Sequence, residues 1–414
     1  FSATVTAAPR EGQRVTIKGE ELRTLPGTLG DPFRVLGLLP GVATPLPLLP
    51  LYVIRGASPG MNGFFLDGLR VPQLFHLLVG GGVVHATLVE ELSFYPGAYD
   101  SSFGHFAGGV IDAHTRPGRP GQHGEVELRL FDVSAALEFT LPRDVHLTVS
   151  GHYGYPGPLV RLFDDRVGVS YWDYQARLDV GGFTAQALGS YDSVTIVLPR
   201  VVSGTTQQVP QTYEVMFHRL QLRQRLRRGR LSAEAALFGG YDDMTIFQGY
   251  GVRKLSTGLR ASLTYALPRL RLSAGADAEL SRFTPQNFDP DAVRARPDDL
   301  GELSDPRNGA TVGAYARATL DLGPVGVTAG GRVDVYHANG VTLLGLDPRL
   351  QLRYQATSWL RFNGGVGLYQ QPPSFPVPLP GIDTFALRLG LQRAVHGALG
   401  QEATLPFGLS LTAT

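Results

Sequence analysis

A membrane-spanning antiparallel β-barrel preceded by a small α+β domain is the fold class this sequence predicts. Three observations predict it. Charged residues make up 18% of the chain and Gly occupies 52 of its 414 positions, against roughly a quarter and roughly 7% in an ordinary soluble domain. From Glu125 onward, apolar and polar residues alternate with period two over runs of ten or more residues, where strands of soluble sheets usually stop at about 5–6. No stretch serves as a membrane helix. Val35 to Ile54 carries no charge over twenty residues, but Pro40, Pro45, Pro47 and Pro50 would break a helix there. A chain that crosses lipid without helices must do so as a barrel, because only a closed sheet satisfies every backbone polar group.

Composition narrows the function. The net charge of +1 gives no global field for nucleic acid, and the absence of cysteine removes disulfides, thiolate metal sites and cysteine nucleophiles. No Ser-His-Asp, P-loop, HExxH or EF-hand pattern is present, so no enzymatic role, cofactor or metal is expected. Gly80-Gly81-Gly82 lacks the Lys-Ser/Thr of a phosphate loop. Asp164-Asp165 and Asp242-Asp243 lack calcium-loop spacing and read as solvated loop charge. The chain opens on Phe1, so any signal peptide is expected to be already removed.

The first 120 residues are turn-rich. Val15 to Ile17 reads as a strand, followed by a short helical piece from Gly19 that Leu25-Pro26-Gly27 ends. Asp31-Pro32 places an N-cap before proline at the first helical position, with Phe33, Leu36 and Leu39 turned inward until Pro40-Gly41. Strands are predicted at Tyr52 to Ile54, at Phe64 to Leu66 before the turn dipeptide Asp67-Gly68, and at Leu92 to Tyr95. A helix is predicted over Val84 to Glu91. Gly108-Gly109 reads as a hinge before a strand at Val110 to Ala113, where the small domain hands over to the barrel.

Leu25-Pro26-Gly27, Leu39-Pro40-Gly41-Val42, Ile54-Arg55-Gly56, Leu66-Asp67-Gly68, Tyr95-Pro96-Gly97 and Gly108-Gly109-Val110-Ile111 stand in the order found in plug domains of TonB-dependent outer-membrane receptors. The set spans about 110 residues and is specific as a set rather than motif by motif. The stretches VIRGASP and FYPGAYDSSFG look like the myxobacterial type of receptor. The resemblance implies a plug, residues 9–120, inside the lumen of a barrel, residues 121–414, in the outer membrane of a Gram-negative bacterium. It implies a TonB-type periplasmic partner and an N-terminal coupling segment at 1–8. Ser2, Ala3, Thr4, Val5 and Thr6 lie where that segment would be, and the chemistry asks only for an extended strand that can add to a partner's sheet edge.

Two plug loops, Ser58 to Gly63 and Pro72 to Gly82, correspond to the family's outward loops. Ser58, Met61, Asn62, Phe75 and His76 are the ligand-contact candidates, apolar and aromatic tips with a few polar groups that suit a moderately apolar, small extracellular ligand. Arg55 and Arg116 stand where the family's plug arginines pair with barrel carboxylates, since a buried charge needs a partner. Glu279 and Asp334 are inward-facing candidates for that partner.

The barrel reading rests on parity. Leu270, Leu272, Ala274, Ala276, Ala278 and Leu280 alternate with Arg271, Ser273, Gly275, Asp277 and Glu279. Val312 to Leu322, Val325 to Val335, Arg349 to Arg353 and Phe407 to Thr412 repeat the pattern. In lipid the apolar face points out and the polar face in. Short turns are predicted near Pro142 to Asp144, Gly181-Gly182, Arg227 to Arg230, Pro268, Gly323-Pro324, Ala356 to Ser358 and His396 to Gln401. Longer loops are predicted at Tyr155 to Val169, Pro199 to Pro210, Tyr241 to Val252, Phe283 to Asn308 and Gln370 to Gly381. Tyr171, Trp172, Tyr174, Tyr265, Tyr354 and Trp359 near strand ends suit interfacial girdles facing outer-membrane lipid. The pattern yields about 14–15 strands and runs on to Thr414 without a terminal aromatic, so a barrel with further strands is expected, a reduced barrel being the alternative. The leading function is energy-coupled import of a ligand. The alternatives are a receptor-derived surface or secretion component without import, and a passive porin.

Overall fold

The polypeptide builds a sheet of fifteen strands around a smaller part made of a five-stranded sheet and a two-stranded one. The computed structural model describes residues 14–413 except 20, 26, 29–30, 46–50, 78–80, 161, 163, 203–204, 246–248, 288–305, 375–386 and 407–409. The smaller part carries β1 (Val15–Lys18), β2 (Val42–Ala43), β3 (Val53–Ile54), β4 (Gly63–Leu66), β5 (Leu69–Val71), β6 (Val89–Tyr95) and β7 (Val110–Thr115), with the one-turn helix α1 (Glu21–Thr24). Five strands pair in the order β1-β6-β7-β4-β5, and β2 pairs with β3 alone. Only β4 and β7 run parallel; the other pairs are antiparallel.

Local chemistry explains most of these elements. Asp67 and Gly68 both adopt positive φ, 52° and 77°, the geometry of a two-residue hairpin turn, in which glycine escapes the steric penalty. Asp31 Oδ1 accepts from Phe33 N at 2.8 Å, and Phe33 rather than Asp31 is the N-cap of the next turn. That turn is 3-10, Arg34–Leu38, and it buries Val35 and Leu36. Gly108 is a packing requirement rather than a hinge, because a Cβ there would stand 2.5 Å from Oδ1 of Asn62.

The helix predicted over Val84 to Glu91 does not form. A single 3-10 turn covers Ala86–Leu88, and Val89 already begins β6. Val83, Val84, Val89 and Leu92 all sit in the small domain's core. Pairing with β7 and burial of these valines override the helical spacing.

The larger sheet has fifteen strands, each paired with its sequence neighbours. They are β8 (Gln122–Leu128), β9 (Asp132–Leu141), β10 (Val145–Gly154), β11 (Val167–Val180), β12 (Phe183–Val202), β13 (Thr205–Arg228), β14 (Leu231–Thr245) and β15 (Gly251–Ala266), then β16 (Leu270–Gln286), β17 (Arg307–Asp321), β18 (Val325–Ala338), β19 (Val341–Gln355), β20 (Leu360–Gln371), β21 (Gln392–Thr404) and β22 (Ser410–Ala413). All are antiparallel, and their faces are inverted relative to a soluble protein. On β19, Leu344, Leu346, Leu350 and Leu352 are exposed while Asp347, Arg349 and Gln351 are buried. Leucines on the outside and charges on the inside are stable only where the outside is lipid. No helix among the described residues is long and apolar enough to cross a membrane, so the strands do the crossing.

Two turn expectations change, and one turn was not among them. Pro199 to Pro210 is not a loop, because β12 and β13 run on through it and pair Pro199 with Gln208 and Val197 with Pro210. Pairing of β11 to β12 ends at Ile196 and that of β14 to β13 begins at Glu214, so both prolines lie where a missing N–H costs no second ladder. His396 to Gln401 lies inside β21, and the connection between β21 and β22 follows Thr404. Asn339-Gly340, with φ of 51° and 74°, makes a tight turn between β18 and β19 that the chemistry of the dipeptide supports.

Candidate functional site

The chemistry of the molecule concentrates where the small domain meets the inner face of the sheet. On the side of β9 to β13 the contacts join charges. His76, in the loop after β5, is held by a 2.8 Å bond from its N–H to Gly81 O. Its ring is fully enclosed, with Nε2 2.9 Å from Asp173 on β11 and Nδ1 3.1 Å from Asp192 on β12. Tyr171 stacks on it at 4.4 Å. Gln73 and the Leu77 N–H add bonds to Asp192 at 2.7 and 2.9 Å, and His152 of β10 binds Asp173 at 2.7 Å. Burial pushes the imidazole of His76 down, but the charge of Asp192 and the bonds to both carboxylates outweigh it and lift its pKa to about 10. The group is a buried cation between two carboxylates. Next to it, burial and the neighbouring His152 push His85 down to about 4, so that ring is neutral.

Nearer the short-turn end, Asp67 at the hairpin tip accepts from Thr115 Oγ1 at 2.5 Å, and faces Arg177 of β11 at 3.4 Å and Arg223 of β13 at 3.9 Å. Burial raises its carboxyl, but the bond from His114 and the two guanidiniums hold it well below the carboxylate range. His114 is lifted to about 10, chiefly by Asp112. Arg116 grips Glu138 of β9 with two bonds of 2.6 Å, and Arg119 binds the same carboxylate at 2.7 Å. Two parallel bonds to a carboxylate fix direction as well as charge.

On the side of β16 to β21 the wall instead holds backbone. Gln351 donates to Ala98 O at 2.6 Å, Tyr369 Oη to Tyr99 O at 2.7 Å and Arg349 to Phe103 O at 2.7 Å. Ala107 N donates to Gln371 Oε1 at 2.7 Å, and His396 Nε2 lies 3.0 Å from Ala107 O. Two side chains of this segment join in: Asp100 pairs with Arg317, and His105 reaches Asp277 at 2.8 Å beside Arg332.

The sequence-selected residues therefore separate. Phe75 and His76 are not exposed tips: Phe75 packs edge-on against Tyr52 and Phe64, and His76 is buried in the charge network. Asn62 is a buried fastener that donates to Tyr52 O and accepts from Gly109 N. Ser58 and Met61 are partly exposed. Arg55 is exposed and has no carboxylate partner among the described residues. Glu279 and Asp334 pair with Lys254 and Arg332 rather than with Arg55 or Arg116. Ser2 to Thr6 lie outside the described residues. The wall groups Glu138, Asp173, Arg177, Asp192 and Arg223 were not singled out, although each occupies the inward parity of its strand, which is the one signal that could have marked them. Among the described residues, no group of three or more His, Asp or Glu is placed to hold a metal ion.

A lipid-facing strand wall enclosing a small, polar-fastened domain defines a plugged outer-membrane β-barrel of the receptor and transporter class. The β-barrel model of TonB dependent receptor-like proteins matches residues 103–385, and the chain belongs to that family. No curated protein matches the sequence. Among solved structures, the siderophore receptor PirA from Pseudomonas aeruginosa is similar with a TM-score of 0.68 at 15% identity, over 96% of this chain and 72% of that one. The FrpB iron transporter from Neisseria meningitidis gives 0.67 at 14%, over 96% and 71%. A mutant ferric enterobactin receptor, PfeA from Pseudomonas aeruginosa, in complex with enterobactin gives 0.71 at 15%, over 96% and 70%. At such identities the likeness is one of fold.

Proposed function

We propose that this outer-membrane receptor imports a small extracellular ligand by energy-dependent transport coupled to a TonB-type periplasmic protein, residues 1–8 being the coupling segment, 9–120 the plug and 121–414 the barrel. The observation that carries the reading is the set of ion pairs and hydrogen bonds at the plug's seat, beside which Leu188 and Phe217 of the wall pack into the plug's core. Ion pairs and hydrogen bonds can be exchanged for water as the plug shifts, whereas an apolar seat would cost about 25 cal/mol for each Å² it exposed. The order of the strands fits a pull from the N-terminus. Residues 1–13 lead directly into β1, an edge strand of the plug sheet held by four residue pairs to β6. Tension there loads one short edge strand first, together with the pairing of Arg14 and Lys18 to Glu91.

Ser58 and Met61 are proposed as ligand contacts. Met61 O accepts from Gly108 N–H and Ser58 O from Met61 N–H, next to Ala107, which binds Gln371 at the long-loop end of β20. Ferric enterobactin is the first probe, because a solved structure of similar fold holds enterobactin.

The test uses the native full-length protein in outer membranes. Val5→Cys places a thiol in a stretch of 414 residues that holds none, and the unsubstituted protein is the control for any other thiol. Disulfide capture of a TonB-type protein carrying a cysteine is the expected result, together with loss of ferric enterobactin uptake in Val5→Pro, which removes a strand-pairing donor. Absence of capture with uptake unchanged would overturn the coupling. Capture without enterobactin uptake would retain the coupling and move the ligand class.

A further inference from the structure

We propose that the ligand's route past the plug runs along the inner face of β14 to β16, and that Arg260 is the bolt across it; the proposal rests on the transport reading above. The inward positions of β15 below Lys254 are Ser256, Gly258, Arg260, Ser262 and Thr264, so one long side chain stands in a column of small ones. The flanking strands mix small and large inward residues, with Ala236 and Gly240 beside Glu234 and Phe238 on β14 and Ser273 and Gly275 beside Asp277 and Glu279 on β16.

Space follows the small residues. On the long-loop side of Arg260 lies a cavity of about 70 Å³ bordered by Phe65, Arg70, His105, Phe106, Asp277 and Glu279. On the short-turn side opens a mouth of about 540 Å³ bordered by Asp67, Arg177, Glu234, Ser262 and Thr264. The plug's Asp67-Gly68 turn borders both, and Arg260 and Ser262 are successive inward positions of β15 on the two sides. Gly68 and Arg260 line the cavity, and Asp67 lines the mouth.

The bonds of Arg260 are those of a bolt. Its two terminal nitrogens each donate at 3.1 Å, one to Gly68 O and one to Ser102 O, so it ties two separate plug segments to the wall. Its guanidinium lies 5.6 Å from the ring of Phe65 and 5.9 Å from that of Phe103. It has no ion pair among the described residues, unlike Arg177, Arg219 and Arg332 on the neighbouring walls. Bonds to neutral carbonyls yield to water more readily than bonds to buried carboxylates. Withdrawal of Arg260 would join cavity and mouth while the charged fastenings on either side hold.

The experiment measures passive entry of a neutral trisaccharide into proteoliposomes of the full-length native protein, without TonB or ligand. Arg260→Ala is expected to raise entry several-fold, Arg260→Lys to raise it less, and Arg353→Ala on β19 of the opposite wall, which pairs with Asp321 of the wall itself, to leave it unchanged. In Arg260→Ala/Ser262→Cys, a methanethiosulfonate reagent on the new thiol is expected to abolish the leak. A leak that survives this modification, or equal leaks from Arg260→Ala and Arg353→Ala, would overturn the route, as would no leak in an Arg260→Ala protein whose plug retains wild-type resistance to protease. None of these outcomes depends on coupling, which the Val5 variants test separately.

Discussion

The two anchorages of the plug use opposite logics. Toward β9 to β13, plug side chains meet wall side chains: His76 with Asp173 and Asp192, Asp67 with Arg177 and Arg223, Arg116 with Glu138. Toward β16 to β21, wall side chains such as Gln351, Tyr369 and Arg349 mostly take hold of plug carbonyls. The first anchorage depends on particular plug residues and on their protonation. The second depends on the path of the backbone from Ala98 to Ala107 and tolerates many side chains along it. Removing one member of a buried pair strands a charge, whereas removing one hydrogen bond to a carbonyl strands only a neutral group.

The largest effect is expected from His76→Leu, which leaves Asp192 without a cation and Asp173 with His152 alone. Docking of the plug should weaken by about 3–5 kcal/mol, the usual cost of breaking a buried pair. Limited proteolysis of the plug in detergent would read this, and unchanged protection would show that the charge network carries no docking energy.

The pH dependence sharpens the same contrast. The pKa of His76 is raised from 6.5 to about 10, so its favourable contribution is complete below about 6.5 and is lost as pH rises through about 10. The protection factor of the amides around Leu77, the intrinsic exchange rate at each pH over the observed one, should fall over that interval in the wild type. It should stay flat in His76→Leu, and a wild-type profile without a step would remove the protonated imidazole from the account.

Arg116→Ala should cost less, about 2 kcal/mol, because Glu138 keeps Arg119. An effect as large as that of His76→Leu in the same protease assay would mean that Arg119 cannot substitute. Tyr369→Phe should have the smallest effect. It deletes the 2.7 Å bond to Tyr99 O while keeping the ring, for about 1 kcal/mol. A loss of more than about twice that would contradict the backbone-grip description of this wall.

Legibility in the sequence followed the range of the interaction. The strands of the barrel were readable because each outward leucine and inward charge is fixed by the pleat of its own strand. Asp67-Gly68 was readable because its turn is decided by two residues, and Asn339-Gly340 carried the same signal unread. The helix expected at Val84 to Glu91 failed because the partner β7, some twenty residues further on, claims that segment for a sheet. The binding loop centred on Phe75 and His76 was misjudged for a similar reason. An aromatic and a histidine in a Gly-rich loop look like an exposed tip until Asp173 and Asp192, about a hundred residues downstream, are brought around them.

By itself, then, the sequence determined the class of protein, the sidedness of its wall and the order of its plug motifs, all of which are periodic or local. Only the tertiary structure decided which charges meet, that Arg116 takes Glu138 while Glu279 and Asp334 take Lys254 and Arg332, and that Arg260 stands between two cavities. Those choices depend on the register in which a fifteen-stranded wall surrounds its plug, and parity along a single strand says which face a residue occupies but not what stands opposite it.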